Sequence, residues 1–80
     1  MRISVRENDP GYHPQAYKCE PMLDGKKVKD CFTADEETGE VFCHARDEKG
    51  NFILNDKMTE VVEVVKKGKV SIIVPVGFRL

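Results

Sequence analysis

The clearest pattern in the chain is a pair of alternating runs folded about Thr38-Gly39, within Val28 to Arg46. On the first run Val28, Asp30, Phe32 and Ala34 fall on one face, and Lys29, Cys31, Thr33 and Asp35 on the other. On the second, Val41, Cys43 and Ala45 oppose Phe42, His44 and Arg46. Side chains alternate with a period of two in extended chain, so the two runs predict a β-hairpin turning at the glycine. Gly follows a polar residue again at Asp24-Gly25, Lys49-Gly50 and Lys67-Gly68, each between strand-like runs. Such a glycine fits a two-residue turn, or a type I turn closed by a left-handed residue. These turns predict a mainly β fold, an antiparallel meander of about six to seven short strands in which each pairs with the next. The strands read as 2–6, 15–22, 27–34, 40–46, 51–54, 58–66 and 69–75. A partly closed barrel or a sandwich-like arrangement is expected, as one domain over 1–80 with a C-terminal tail at 75–80.

Three stretches qualify this pattern. Met58, Val61, Val62 and Val65 fall at helical spacing, with Asn55 or Asp56 able to cap and Gly68 able to end a helix. The alternative is therefore an α+β fold with a helix at about 57–67. Val61, Val62, Val64 and Val65 are all β-branched, which favours strand. Pro21 lacks a ladder donor, so the 15–22 strand is expected to lie at an edge or to stop there. Val70, Ile72, Ile73 and Val74 show no clean alternation, the mark of a strand buried on both faces. Its cover is expected to be either the VPVGFRL tail or a second subunit, and Lys66, Lys67 and Lys69 flank it as gatekeepers.

Composition narrows the classes of function. Eighty residues allow one core, and a chain this short buries only roughly 60% of its unfolded surface. Thirteen Lys and Arg against 14 Asp and Glu give a net charge of −1, which offers no electrostatic case for a nucleic-acid partner. MRISVREND lacks the apolar segment of a signal peptide. The longest apolar run, Ile72 to Val76, is far short of the roughly 20 residues that span a bilayer. No membrane partner and a cytoplasmic setting are expected. The three cysteines should then be reduced thiols.

Cys19, Cys31, Cys43 and His44 are zinc-ligand types, but the cysteines stand 12 apart with no close knuckle. Buried thiols packing as small hydrophobes are expected instead. A three-residue loop at Asp24 to Lys26 would set Cys19 opposite Cys31. Neither His13 nor His44 is brought to a cysteine by any pattern, so no nucleophile pair is expected. Asp35, Glu36, Glu37 and Glu40 make an acidic hairpin tip without a calcium-loop pattern. No catalytic, cofactor or metal residues emerge. Candidate contact residues are Tyr12 and His13 on the ENDPGYHP loop, Ile72 and Ile73 on the apolar strand, and Phe78 in the tail.

VRENDPGY, LDGKKVKDCFTADEETGEV, DEKGN and GKVSIIV, taken in order, cover most of the chain. In these stretches it resembles small proteins encoded by tailed bacteriophages and by prophages of proteobacteria. The resemblance implies such an origin and a strand-rich fold, and carries over no catalytic residues. Cys43-His44 and the VPVGFRL tail depart from the pattern. The expected function is a non-enzymatic accessory role through contacts with a host or phage protein, with a homodimer as one form of contact. The alternative is a small nucleic-acid-binding β-barrel using Lys66, Lys67 and Lys69.

Overall fold

In the computed structural model, which describes residues 1–79, seven short strands form in chain order. They are β1 (Arg2–Ser4), β2 (Glu20–Leu23), β3 (Lys26–Lys27), β4 (Cys31–Asp35), β5 (Glu40–His44), β6 (Glu63–Lys67) and β7 (Val70–Ile73). One sheet has the order β1-β4-β5-β6 and the other β3-β2-β7, with every strand pair antiparallel. The fold is mainly β and does not close into a barrel. Among the described residues there is no α-helix; Ala16–Lys18 makes a single 3-10 turn.

The expected hairpin about Thr38-Gly39 forms, and β6 extends it as a meander. The helix alternative at 57–67 is replaced by β6, which pairs residue for residue with β5 from His44↔Glu63 to Glu40↔Lys67. Its β-branched valines settle there because a pleated surface accommodates their stiff side chains. The expectation that each strand pairs with the next holds only in part. β1 pairs with β4, and β2 pairs with β7 as well as with β3. Residues 15–22 are a 3-10 turn followed by a strand, and 51–54 and 58–62 are joined only by isolated bridges such as Leu54↔Val61.

Pro21 lies in the middle strand of its sheet, contrary to the edge expected for it. Its carbonyl accepts the Val28 N–H at 3.2 Å, while its own missing N–H falls at the point where β3 ends. Facing β7, Pro21 opposes Ile72, whose N–H instead reaches the Glu36 carboxylate at 3.0 Å. The proline thus shortens β3 and leaves the β7 ladder intact. β7 is buried on one side only: Val70 is buried and Ile72 half-buried, while Ser71 and Ile73 are exposed.

The hairpin register carries a bulge. Asp35↔Glu40, Ala34↔Val41 and Thr33↔Phe42 are followed by Cys31↔Cys43, with Phe32 left over. One extra residue reverses the parity of everything beyond it. Cys31 therefore joins Ala34, Val41 and Cys43 on the inner face, rather than opposing Ala34 as simple alternation predicts. The inner face is small, made of Ile3, Ala16, Ala34, Val41, Cys43 and Val70.

The other face of the larger sheet is aromatic, and arginines cover it. Arg2 lies over Phe42 at 5.3 Å, Arg6 over Phe32 at 3.7 Å and Arg46 over Phe52 at 4.0 Å. Each guanidinium is also held by carboxylates: Arg2 by Asp9 and Asp35, Arg6 by Glu63, Arg46 by Asp30. Cation–π contact and snorkelling stems shield rings that a thin sheet cannot bury.

Three of the X-Gly turns meet in space. The Gly68 N–H donates to the Gly39 carbonyl at 2.9 Å, and Asp24 Oδ1 accepts the Lys69 N–H at 2.9 Å. A Cβ on Gly39, at φ +71°, would stand 2.6 Å from the Gly68 carbonyl oxygen. A Cβ on Gly68 would stand 2.7 Å from the Asp24 carboxylate. Gly25, at φ +81°, has open space around it. Gly39→Ala is expected to cost about 3 kcal/mol, from left-handed strain plus backbone collision, and Gly25→Ala about 1 kcal/mol from strain alone. Urea unfolding of the two variants measures the difference, and equal losses would refute the packing of the two turns.

Candidate binding surfaces

The first surface is the ENDPGYHP loop, which Asp9 organises from both ends. Its Oδ1 accepts the Gly11 N–H at 2.7 Å and its carbonyl the Tyr12 N–H at 3.0 Å. Its two carboxylate oxygens take Arg2 Nε at 2.9 Å and Nη2 at 2.8 Å. Gly11 sits where any Cβ would meet the Arg2 side chain at 2.7 Å, so the loop can close down only on glycine. Tyr12 then bridges Ser4 in parallel and keeps an exposed ring. The His13 ring packs on Phe78 with centroids 4.5 Å apart and its Nε2 meets the Arg79 carbonyl.

Of the five predicted contact residues, His13 and Phe78 are thus brought together, and they fasten the tail to the loop. Leu80, the end of the predicted tail, lies outside the described residues. Ile72 turns toward the core and Ile73 away from it, on opposite sides of β7. The acidic tip serves the fold: Asp35 Oδ1 accepts the Glu37 N–H at 2.9 Å, Glu36 accepts the Ile72 N–H, and Glu40 lies 3.8 Å from Lys67. Among the described residues no group of three or more His, Cys, Asp or Glu side chains is arranged to hold a metal ion.

The second surface is an arm between β5 and β6. Ala45 donates to the Val62 carbonyl, Ile53 to that of Ala45 and Val62 to that of Ile53, at 2.7–3.0 Å. Asp47 closes one end by accepting the Lys49 and Asn51 N–H groups, and Asn55 closes the other through the Thr59 N–H at 2.9 Å. Phe52, Ile53, Leu54 and Met58 are exposed along it, Met58 by 75%. Three consecutive apolar residues followed by Met58 were the available signal, masked by their assignment to a strand.

The third is a cleft of about 780 Å³ between the β2–β4 connection and the ends of β5 and β6. Lys26, Lys27, Lys29, Lys66 and Arg46 line it, with Asp24 and Asp30. Asp30 is held bidentately by Arg46 at 2.6 and 3.0 Å, and Asp24 accepts the Lys69 N–H. Lys27 lies 3.3 Å from Glu20. Among the described residues, Lys26, Lys29 and Lys66 have no carboxylate in salt-bridge range. Of the predicted basic cluster, Lys66 alone lines this cleft.

Burial pushes the Cys31 thiol up to about 12, and burial also raises those of Cys19 and Cys43. All three are neutral thiols near pH 7. No helix among the described residues is long and apolar enough to cross a membrane. Compared with protein-family models, curated proteins and solved structures, the chain matches none.

The Arg2 guanidinium holds the Asp9 carboxyl below the ordinary carboxylate range, against the opposing effect of burial. Burial pushes Asp35 upward, yet the Thr38 and Glu37 N–H groups and Arg2 outweigh it and leave that carboxyl low as well. A carboxyl with a depressed folded-state pKa contributes fully above its unfolded value, near ~3.9, and the contribution is lost as pH falls through the folded value. Asp9→Asn is expected to cost about 1–2 kcal/mol at pH 7, with a gap to the parent that closes below about pH 4. Urea midpoints measured from pH 7 to pH 2 check this; parallel curves throughout would contradict it.

Proposed function

We propose that the chain is a non-enzymatic accessory protein of phage or prophage that works through contact with another protein, of host or phage. The observation that carries this reading is the apolar arm. Phe52, Ile53, Leu54 and Met58 are exposed together on a segment whose backbone is pinned at both ends. Several exposed apolar side chains on one short segment of a chain with so small a core support a contact site more readily than a catalytic one. Raised thiol pKa values support a non-enzymatic role, since they leave no thiolate nucleophile near pH 7. Phage or prophage origin rests on the resemblance of the VRENDPGY and LDGKKVKDCFTADEETGEV stretches. Self-association by strand pairing is disfavoured at β7, because Glu36 already occupies the outward Ile72 N–H.

The test is capture of partners from bacterial lysate by the tagged full chain, with nuclease present. A stoichiometric protein partner is expected, and the double variant Leu54→Asp, Met58→Glu should lower its capture at least about tenfold with Tm unchanged. Ile73→Lys, at an exposed site on the other sheet, should leave capture intact. Loss of capture with Ile73→Lys and not with the arm variant would move the contact to β7 and overturn the arm.

The lysine cleft favours a second reading, nucleic-acid binding, despite the net charge of −1. Lys26, Lys29 and Lys66 are available to phosphates, whereas Lys67 is engaged with Glu40. Under this reading, affinity for a single-stranded oligonucleotide falls with added salt. Lys26→Gln with Lys29→Gln then weakens binding several-fold more than Lys67→Gln. No binding of labelled oligonucleotide at low salt would end it.

A further inference from the structure

The bulge at Phe32 has a chemical result. It places Cys31 directly opposite Cys43 on neighbouring strands, both on the inner face. The flanking bond identifies the kind of pair: the His44 N–H donates to the Asp30 carbonyl at 3.0 Å, so the hydrogen bonds lie outside the 31/43 position. In an antiparallel ladder that is a non-hydrogen-bonded pair, where Cα atoms approach to about 4.5 Å and side chains come closest. A disulfide tolerates Cα separations of about 4.4–6.8 Å. The thiols are near enough to perturb each other, and Cys31 Sγ lies 3.1 Å from the Thr33 carbonyl.

We propose that Cys31 and Cys43 are a redox couple that closes to a cross-strand disulfide in the native fold, with a small-molecule disulfide such as glutathione disulfide as oxidant. Cys31 is the entry point, because it is half-buried whereas Cys43 is 1% exposed. Its thiolate attacks one sulfur of glutathione disulfide, forms a mixed disulfide and expels one glutathione. Cys43, its proton passed to solvent, attacks the Cys31 sulfur and expels the second glutathione. Two protein thiols are oxidised by two electrons, and one disulfide is reduced to two thiols. Cys19 is not a member of the couple. It precedes β2, whose ladder partners are β3 and β7, so it does not face Cys31 across a hairpin as the Asp24–Lys26 turn predicts.

The couple is slow by construction. Burial keeps Cys31 protonated, so the closure rate should rise about tenfold per pH unit between pH 7 and pH 9. Once formed, the bond packs against the core beside Val41 and Ala34, with the Cys31 sulfur the one a reducing thiol can reach.

The experiment incubates the folded full chain with glutathione disulfide at pH 8.5, alkylates the remaining thiols and maps peptides by mass. The expected product is about 2 Da lighter than the reduced chain before alkylation, carries a 31–43 crosslink, takes the alkyl group on Cys19 alone, and melts roughly 10 °C higher. Cys19→Ser should close as readily as the parent, and Cys31→Ser and Cys43→Ser should not close. A crosslink between Cys19 and Cys31, or a product bearing only glutathione on Cys19, would overturn the couple. Should the folded chain not react, unfolding and refolding it in a glutathione redox buffer removes the kinetic barrier. A 31–43 link prevailing there would establish the pairing; its absence would end the proposal.

Discussion

Everything in this fold depends on how closely two turns can approach. The chain leaves the four-stranded sheet at Lys67 and enters the three-stranded sheet at Val70, so Gly68 is the crossing between them. Its N–H bonds the Gly39 carbonyl and its own carbonyl lies against the face where a Gly39 side chain would stand. Asp24, from the turn between β2 and β3, closes the other side through Lys69. Backbone meets backbone with no side chain between, which only glycine permits. The junction adds a polar tie to the hydrophobic contact the two sheets share through Val70, Leu23 and Ile72.

A core so shallow leaves aromatic residues outside it, and the arginines answer that problem. Arg2 ties the loop through Asp9 and the hairpin through Asp35, and covers Phe42. Arg46 ties Asp30 at the entry to β4 and the Gly50 carbonyl in the arm, and covers Phe52. Between these lids the Phe32, His44 and Phe52 rings pack in series, at 4.9 and 6.1 Å. His44 is therefore a ring in a stack, with Cys43 directed to the opposite face, so the two side chains of the Cys-His dipeptide do not converge.

The hairpin, its turn residues and the strand character of 63–67 were legible because each rests on local chemistry: alternation, glycine and β-branching. What could not be read was parity and partnership. Whether Cys31 faces Ala34 or opposes it turns on a single extra residue, and Phe32 carries no mark of a bulge in its side chain. Pro21 suggested an edge, since sequence cannot tell which flank of a strand loses the donor. The exposed arm was hidden for a similar reason. Phe52-Ile53-Leu54 looks like any buried strand until the sheet proves too small to cover it.

The arm and the core are coupled through the same residues. Asp30 takes a left-handed conformation at φ 59°, which the short polar side chain of aspartate tolerates, and this turns its carboxylate to Arg46. Arg46 in turn holds the Gly50 carbonyl and packs on Phe52, so the arm is held in place from within the chain. Preorganised surface loses less entropy on association than a free loop does. The residue just before the bulged strand is thus also tied, through Arg46, to the exposed apolar arm. A change at Asp30 would reach the Cys31–Cys43 pair on one side and the apolar arm on the other, although neither contains it.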